Sequence, residues 1–197
     1  MIIRLFIFSL LFFVSSSFSV QEETIFMANS GSIHFKSDAP LELIEASSDK
    51  LKGAIDVLKK TFAFSMEMSS FEGFNSPLQR IHFNENYLES KVFPKATFTG
   101  KIIENVDLLE PGEYTVRAKG KLTIHGVTQE RIIKSKIKVE GEKLYVQSSF
   151  RVLLKEHDID IPKIVFQKIA EEIQVDIKAE FSKRTAAAKG KKTKAKD

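Results

Sequence analysis

Glu113–Leu154, EYTVRAKGKLTIHGVTQERIIKSKIKVEGEKLYVQSSFRVLL, holds three runs of alternating side chains separated by turns. In the first run Tyr114, Val116, Ala118, Gly120, Leu122 and Ile124 share one parity, and Thr115, Arg117, Lys119, Lys121, Thr123 and His125 share the other. A period of two with one apolar set is a strand with one dry face. Gly126 breaks the run, and Ile133, Ser135, Ile137 and Val139 then oppose Glu130, Lys134, Lys136 and Lys138. After Glu140-Gly141 the third run puts Leu144, Val146, Ser148, Phe150, Val152 and Leu154 on one face. Three long antiparallel strands in tandem form a meander, so the chain is read as all-β.

The dry face is not uniformly bulky. Ala118, Gly120, Ser135 and Ser148 stand where a filled core calls for Leu or Ile. Two readings stay open for them: small residues let a strongly coiled sheet bend, or they hollow a closed barrel for a lipophilic guest.

Outward from the meander, Thr24–Ala39 contains a first strand, with Ile33, Phe35 and Ser37 on one side and His34 and Lys36 on the other. Leu41–Ala46 fits neither period, because the pair Leu43-Ile44 spoils the alternation. Leu51, Gly53, Ile55 and Val57 resume a strand, then comes a turn near Lys59-Lys60, and Phe62, Phe64, Met66 and Met68 line another. Phe71–Asn75 reads as a loop, and Leu78–Glu89 as a short helix across an opening, anchored by Leu78, Ile81 and Leu88 and stopped at Val92-Phe93-Pro94. Phe98, Gly100 and Ile102 face inward from the next strand. Asp160 and Pro162 signal a helix start, with Ile164, Val165, Phe166 and Ile169 on a small amphipathic helix. A last strand carries Ile173, Val175, Ile177, Ala179 and Phe181 and is expected to pair with the first. About eight strands is the number at which a barrel just holds a small guest.

The two ends of the chain are set apart from this domain. Arg4, an apolar run Leu5–Val14, and small residues at Ser17 and Ser19 read as a secretory signal over residues 1–19, which places the protein in the periplasm or outside the cell. Residues 184–197 are a tail rich in Ala, Lys, Gly and Thr, which cannot bury enough apolar surface to fold alone. The formal charge of +4 arises there, and residues 20–183, the domain, are net acidic. Two readings of the tail stay open: a solvated, solubilising end, or weak contact with an anionic membrane surface. No nucleic-acid partner is expected, since the domain carries no basic stripe interleaved with aromatics. The absence of cysteine excludes disulfides, thiolate metal sites and cysteine catalysis.

No catalytic residue and no metal site emerge. His34 and His125 fall on polar strand faces, His82 on the helical segment, and His157 beside Glu156 and Asp158, without the close spacing of a zinc or calcium site. There is no Gly-rich phosphate loop and no nucleophile elbow.

The run His82-Phe83-Asn84-Glu85-Asn86-Tyr87-Leu88-Glu89-Ser90, then Phe93-Pro94-Lys95-Ala96-Thr97-Phe98-Thr99-Gly100, resembles the signature of the YceI-like proteins. Gly120-Lys121-Leu122-Thr123-Ile124-His125-Gly126-Val127-Thr128 is similar to that family's Gly-x-Leu-Thr-Ile-x-Gly-Val-Thr hairpin, and His157–Pro162 to its late turn. The resemblance implies an exported protein with an eight-stranded antiparallel lipocalin-like barrel, one or two short helices at its ends, and a polyisoprenoid chain such as a quinone tail inside. It implies no catalysis and no required cofactor. Ala39–Ala46 departs from the open first hairpin of better-known members. The expected partner is thus an isoprenoid lipid or quinone, with a homodimer left open as the oligomeric state. Candidate cavity-lining residues are Phe64, Met66, Phe98, Tyr114, Val116, Leu122, Ile133, Ile137, Val146, Phe150, Val152 and Ile177; His82, Asn86 and Tyr87 are placed at the mouth. Two rivals are carried along: a filled barrel acting through an envelope partner, and an enzyme working on bound lipid through Ser135 and Ser148.

Overall fold

The computed structural model describes residues 24–184. The expected signal segment, and all of the basic tail but its first residue, lie outside the described residues. Nine antiparallel strands run in order: β1 (Ile25–Asp38), β2 (Leu43–Ser48), β3 (Lys52–Asp56), β4 (Thr61–Glu67), β5 (Lys95–Ile102), β6 (Gly112–Ile124), β7 (Val127–Glu140), β8 (Lys143–Leu153) and β9 (Glu172–Lys183). Each of β3 to β8 pairs with its successor in sequence, and β9 returns to pair with β1 from Phe26↔Lys183 to Lys36↔Gln174. The sheet is therefore closed. β1 uses its other edge twice, pairing Ile33–Asp38 with β2 and Ile25–Met27 with β3. β2 and β3 thus occupy one stave of an eight-stave barrel, broken at Asp49–Leu51.

The meander forms as its alternation requires. β6 and β7 turn at His125-Gly126, both at positive φ (51° and 74°), and β7 and β8 at Gly141, with φ 56°. Two-residue turns of this hand match the twist of the strands they join, so the long register Gly112↔Val139 to Ile124↔Val127 holds without a slip.

Glycines do a different job from the hollowing one of the two readings gave them. Gly100 and Gly120 are directly paired across β5 and β6. A Cβ on Gly100 would collide with the carbonyl of Lys119, and one on Gly120 with that of Thr99. One on Gly53 would come within 2.7 Å of the Phe64 ring. Missing side chains here let backbones and rings approach as the sheet coils, so the space they leave is already occupied.

One segment left open by its pattern is resolved, and two local expectations are corrected. Leu41–Ala46 contributes to a strand, β2, in which Leu43 is exposed while Ile44 turns inward; adjacent apolar residues serve opposite faces. A helix is present at Pro77–His82 (α1), with Ser76 Oγ accepting from the Gln79 amide and Pro77 opening it, followed by a π-helical turn, Phe83–Tyr87. Its inner face is not the expected one: Leu78 and Ile81 are exposed, and of the three anchors only Leu88 is buried. Gln79 and His82 of α1, with Phe83 and Tyr87 of the π turn, line the cavity instead. Finally, Ile164–Ile169 forms one 3-10 turn, Lys163–Val165, with no side-chain cap, instead of an amphipathic helix. Among the described residues no helix is long and apolar enough to cross a membrane.

Candidate functional site

The two ends of the barrel are closed differently. At the end where β1 starts and β9 finishes, Phe26, Leu108, Val139, Leu144 and Phe181 are all 2% exposed or less. Leu108 comes from the β5–β6 connection, which is tied down by Arg117 to Glu104, by Lys60 to Asn105, and by Tyr114 Oη donating to the Glu110 carbonyl at 2.9 Å. These side chains fill the floor.

Above the floor the chain's own side chains do not fill the interior. A cavity of about 470 Å³ runs from Ile102 and Ile55 near the floor to Glu42, Gln79, His82 and Lys168 at the other end. Because Lys168 is an exposed residue of a surface loop, the cavity reaches solvent there. The walls are overwhelmingly aliphatic and aromatic. Ala118, Ser135 and Ser148, three of the small residues on the meander's dry face, supply open wall. Ser135 Oγ and Ser148 Oγ lie 2.6 Å apart across β7 and β8, each other's partner in an otherwise apolar stretch.

Of the twelve expected wall residues, Phe64, Met66, Phe98, Val116, Leu122, Ile133, Ile137, Val146, Phe150, Val152 and Ile177 border the cavity. Tyr114 does not. It has the inward parity, but it stands at the start of β6, and its hydroxyl reaches to Glu110 in the floor connection. At the mouth His82 and Tyr87 face the cavity, whereas Asn86 is exposed on the outer side of the π turn and is corrected to a surface residue. Burial raises the Tyr87 phenol above its ordinary value, which keeps it neutral.

The sequence reading missed the ring cluster that seats the helical segment. Phe35 of β1 stacks on Phe83 with centroids 5.4 Å apart and planes 12° from parallel. Phe71 and Phe74, read as loop residues, pack edge-on or tilted against the same two rings at 5.1–5.9 Å. All four border the cavity. The available signal was the density of Phe around Phe71-Glu72-Gly73-Phe74; nothing in it names Phe35 as the partner. Glu42, Gln79 and Lys168 were also missed. Gln79 Nε2 donates to Glu42 Oε1 at 2.6 Å, and Asn75 Nδ2 to the Leu43 carbonyl at 2.8 Å, so the helix is pinned to β2 at the rim.

Two histidines organise the opposite side of that rim. His125 sets Nε2 2.8 Å from Glu89 Oε2 and Nδ1 3.1 Å from the His157 carbonyl, with Phe93 packed edge-on at 4.6 Å. His157 is fully buried; Nδ1 donates to the Val127 carbonyl at 3.1 Å, and Nε2 has no partner among the described residues. Burial holds its pKa below the usual histidine range, so the ring is neutral. These contacts join the β6–β7 turn, the end of the helical segment and the loop after β8. Among the described residues no three His, Cys, Asp or Glu side chains come together as a metal site.

A YceI-like domain model matches residues 17–181. The chain belongs to the YceI-like family. A polyisoprenoid-binding domain from Saccharophagus degradans, implicated in plant cell wall breakdown, superposes with a TM-score of 0.70 at 16% identity, covering 83% of this chain and 100% of that one. Burkholderia cenocepacia BcnA gives 0.62 at 16% identity, over 76% of this YceI-like chain and 95% of its own. The YceI protein of Campylobacter jejuni gives 0.53 at 13% identity, over 93% and 100%. At these identities the likeness shows the fold. A search of curated proteins returns no match to the sequence.

Proposed function

We propose that this YceI-like protein binds an isoprenoid lipid, such as a quinone or polyprenyl chain, inside the barrel, and sequesters or carries it without catalysis outside the cytoplasm. The observation that carries the reading is the long apolar cavity of about 470 Å³, closed at one end and open at the other. That volume lies within the range of small-molecule sites, about 300–1,000 Å³. Its shape suits a chain entering tail first. Burying a few hundred Å² of prenyl surface at about 25 cal/mol per Å² offers several kcal/mol before the cost of ordering the chain. A head group is left among Glu42, Gln79, His82, Tyr87 and Lys168, where the polar side chains cluster.

The family supports lipid binding in general, and the polyisoprenoid-binding neighbour suggests the chemistry of the chain. The leader-like residues 1–19 support export. Against catalysis stands the setting of the interior hydroxyls: among the described residues Ser135 and Ser148 bond to one another and to no histidine or carboxylate. The cavity that the wall side chains leave likewise disfavours the filled-barrel alternative.

Native mass spectrometry of protein purified from its own host, with lipid extraction, tests the proposal. A stoichiometric adduct identified as an isoprenoid is expected. Ligand-free protein that also fails to take up added prenylquinone would overturn it.

A further inference from the structure

The connection before β9 lines the cavity and faces outward at once. Val165, Lys168 and Ile169 border the mouth. Between and beside them Ile164 is 90% exposed and Phe166 63% exposed. Burying neither residue in the fold is unusual for two large apolar side chains two positions apart. The loop is nevertheless held in place: the Leu41 amide donates to the Gln167 carbonyl at 2.9 Å, and the Ala170 amide to Ser37 Oγ at 2.9 Å. The first of these bonds brings Leu41, 66% exposed, alongside.

Within the tip itself, residues 163–170, the only charged side chains are two lysines. Lys163 and Lys168 flank Ile164 and Phe166, and neither has an ion-pair partner among the described residues. The acidic residues nearby flank it: Asp160 and Glu171 bound the segment in sequence, Glu172 is paired with Arg151 at 3.0 Å, and Glu42 is bonded to Gln79. Exposed apolar residues framed by free lysines match a lipid–water interface carrying negative charge, with the rings and branched chains below the headgroups and the ammonium groups among them.

We infer that Leu41, Ile164 and Phe166 dock on the surface of an anionic bilayer, with Lys163 and Lys168 at the headgroups, so that the cavity mouth opens onto the membrane. The use of such docking, transfer of a lipid without passage through water, rests on the proposed function; the docking itself does not.

The chain contains no tryptophan, so Phe166→Trp in the exported protein, purified without residues 1–19, provides a single reporter. Added to vesicles of phosphatidylcholine and phosphatidylglycerol, it is expected to shift its emission to the blue and to be quenched by brominated acyl chains. The double substitution Ile164→Ser with Phe166→Ser is expected to lower vesicle affinity at least tenfold, while uptake of a short prenylquinone from solution stays unchanged. Three outcomes overturn the inference. The emission stays unshifted although the protein floats with vesicles, which assigns binding to the basic tail. The double variant binds vesicles as the parent does. Or the blue shift arises without vesicles and follows protein concentration, with a dimer in sedimentation, which assigns the tip to a second copy. Insertion without prenylquinone uptake would instead refute the cavity reading and leave the docking intact.

Discussion

The floor and the mouth of this barrel are built from the same kinds of side chain, yet one is solid and the other hollow. At the floor Phe26, Leu144 and Phe181 stand on the adjacent strands β1, β8 and β9, and the tethered β5–β6 connection adds the buried Leu108. At the mouth Phe35, Phe71, Phe74 and Phe83 cluster along the wall beside the helical segment, and the cavity stays open past them. What separates the two is an inserted plug residue, with hydrophobicity alike at both ends. Folding stability is therefore expected to reside in the floor, and binding above it.

The largest test of that division is Phe181→Ala. Phe181 is fully buried and packs edge-on against Phe64 at 5.7 Å. Its truncation is expected to cost about 3–5 kcal/mol in urea unfolding. Phe83→Ala, removing a half-buried ring that already borders the cavity, is expected to cost about 1–2 kcal/mol. Equal losses at both sites would abolish the distinction.

Adding volume reverses the sense of the comparison. Val139→Phe overfills the floor and is expected to destabilise by about 1–3 kcal/mol. Ala118→Leu adds volume to open wall and is expected to change stability by less than about 1 kcal/mol, while weakening prenylquinone uptake. A ligand titration beside each unfolding curve checks both halves.

Much of the wall was legible in the sequence, and much of the mouth was not, for a physical reason. Strands β6 to β8 expose one face to the interior and one to water, so their side chains alternate and inward residues such as Val116, Ile137 and Val152 can be read directly. Tyr114 obeys the same parity, yet strand ends answer to the connection that follows, and Glu110 captures it. At the rim no period governs. The π turn carries Asn86 on its outer side and Phe83 against the cavity. The Phe35–Phe83 stack joins residues far apart in the chain, a pairing that only the closed sheet determines. The mid-strand glycines were ambiguous between bending and hollowing, and their pairing across β5 and β6 favours bending.

The hydroxyl pair asks whether the hollow is dry. Ser148→Ala leaves the Ser135 hydroxyl facing apolar wall and is expected to cost about 1–3 kcal/mol in the ligand-free protein, whereas the double change to alanine at both positions is expected to be nearly neutral. A single substitution as mild as the double one would mean that water replaces the lost partner, and that any lipid must displace it.

His157 gives the smallest effect and the one with a definite sign. Its ring is a solid post in the rim beside the hollow, buried with Nε2 unpartnered. Burial depresses its pKa in the folded state more than the Val127 and Ile124 backbone can restore, while Arg131 opposes and Glu156 favours protonation. In the unfolded chain the imidazole takes a proton near its ordinary value of 6.5. Below about pH 6.5 the unfolded state therefore binds more protons, so stability falls with acidification by up to about 1.4 kcal/mol per pH unit until the folded ring itself titrates. His157→Asn, whose side-chain amide can still donate to Val127, is expected to be less stable at pH 7.5 yet to lose less between pH 6.5 and 5. If the two unfolding series run parallel across that window, the ring does not govern the acid response, and the rim yields to protons elsewhere.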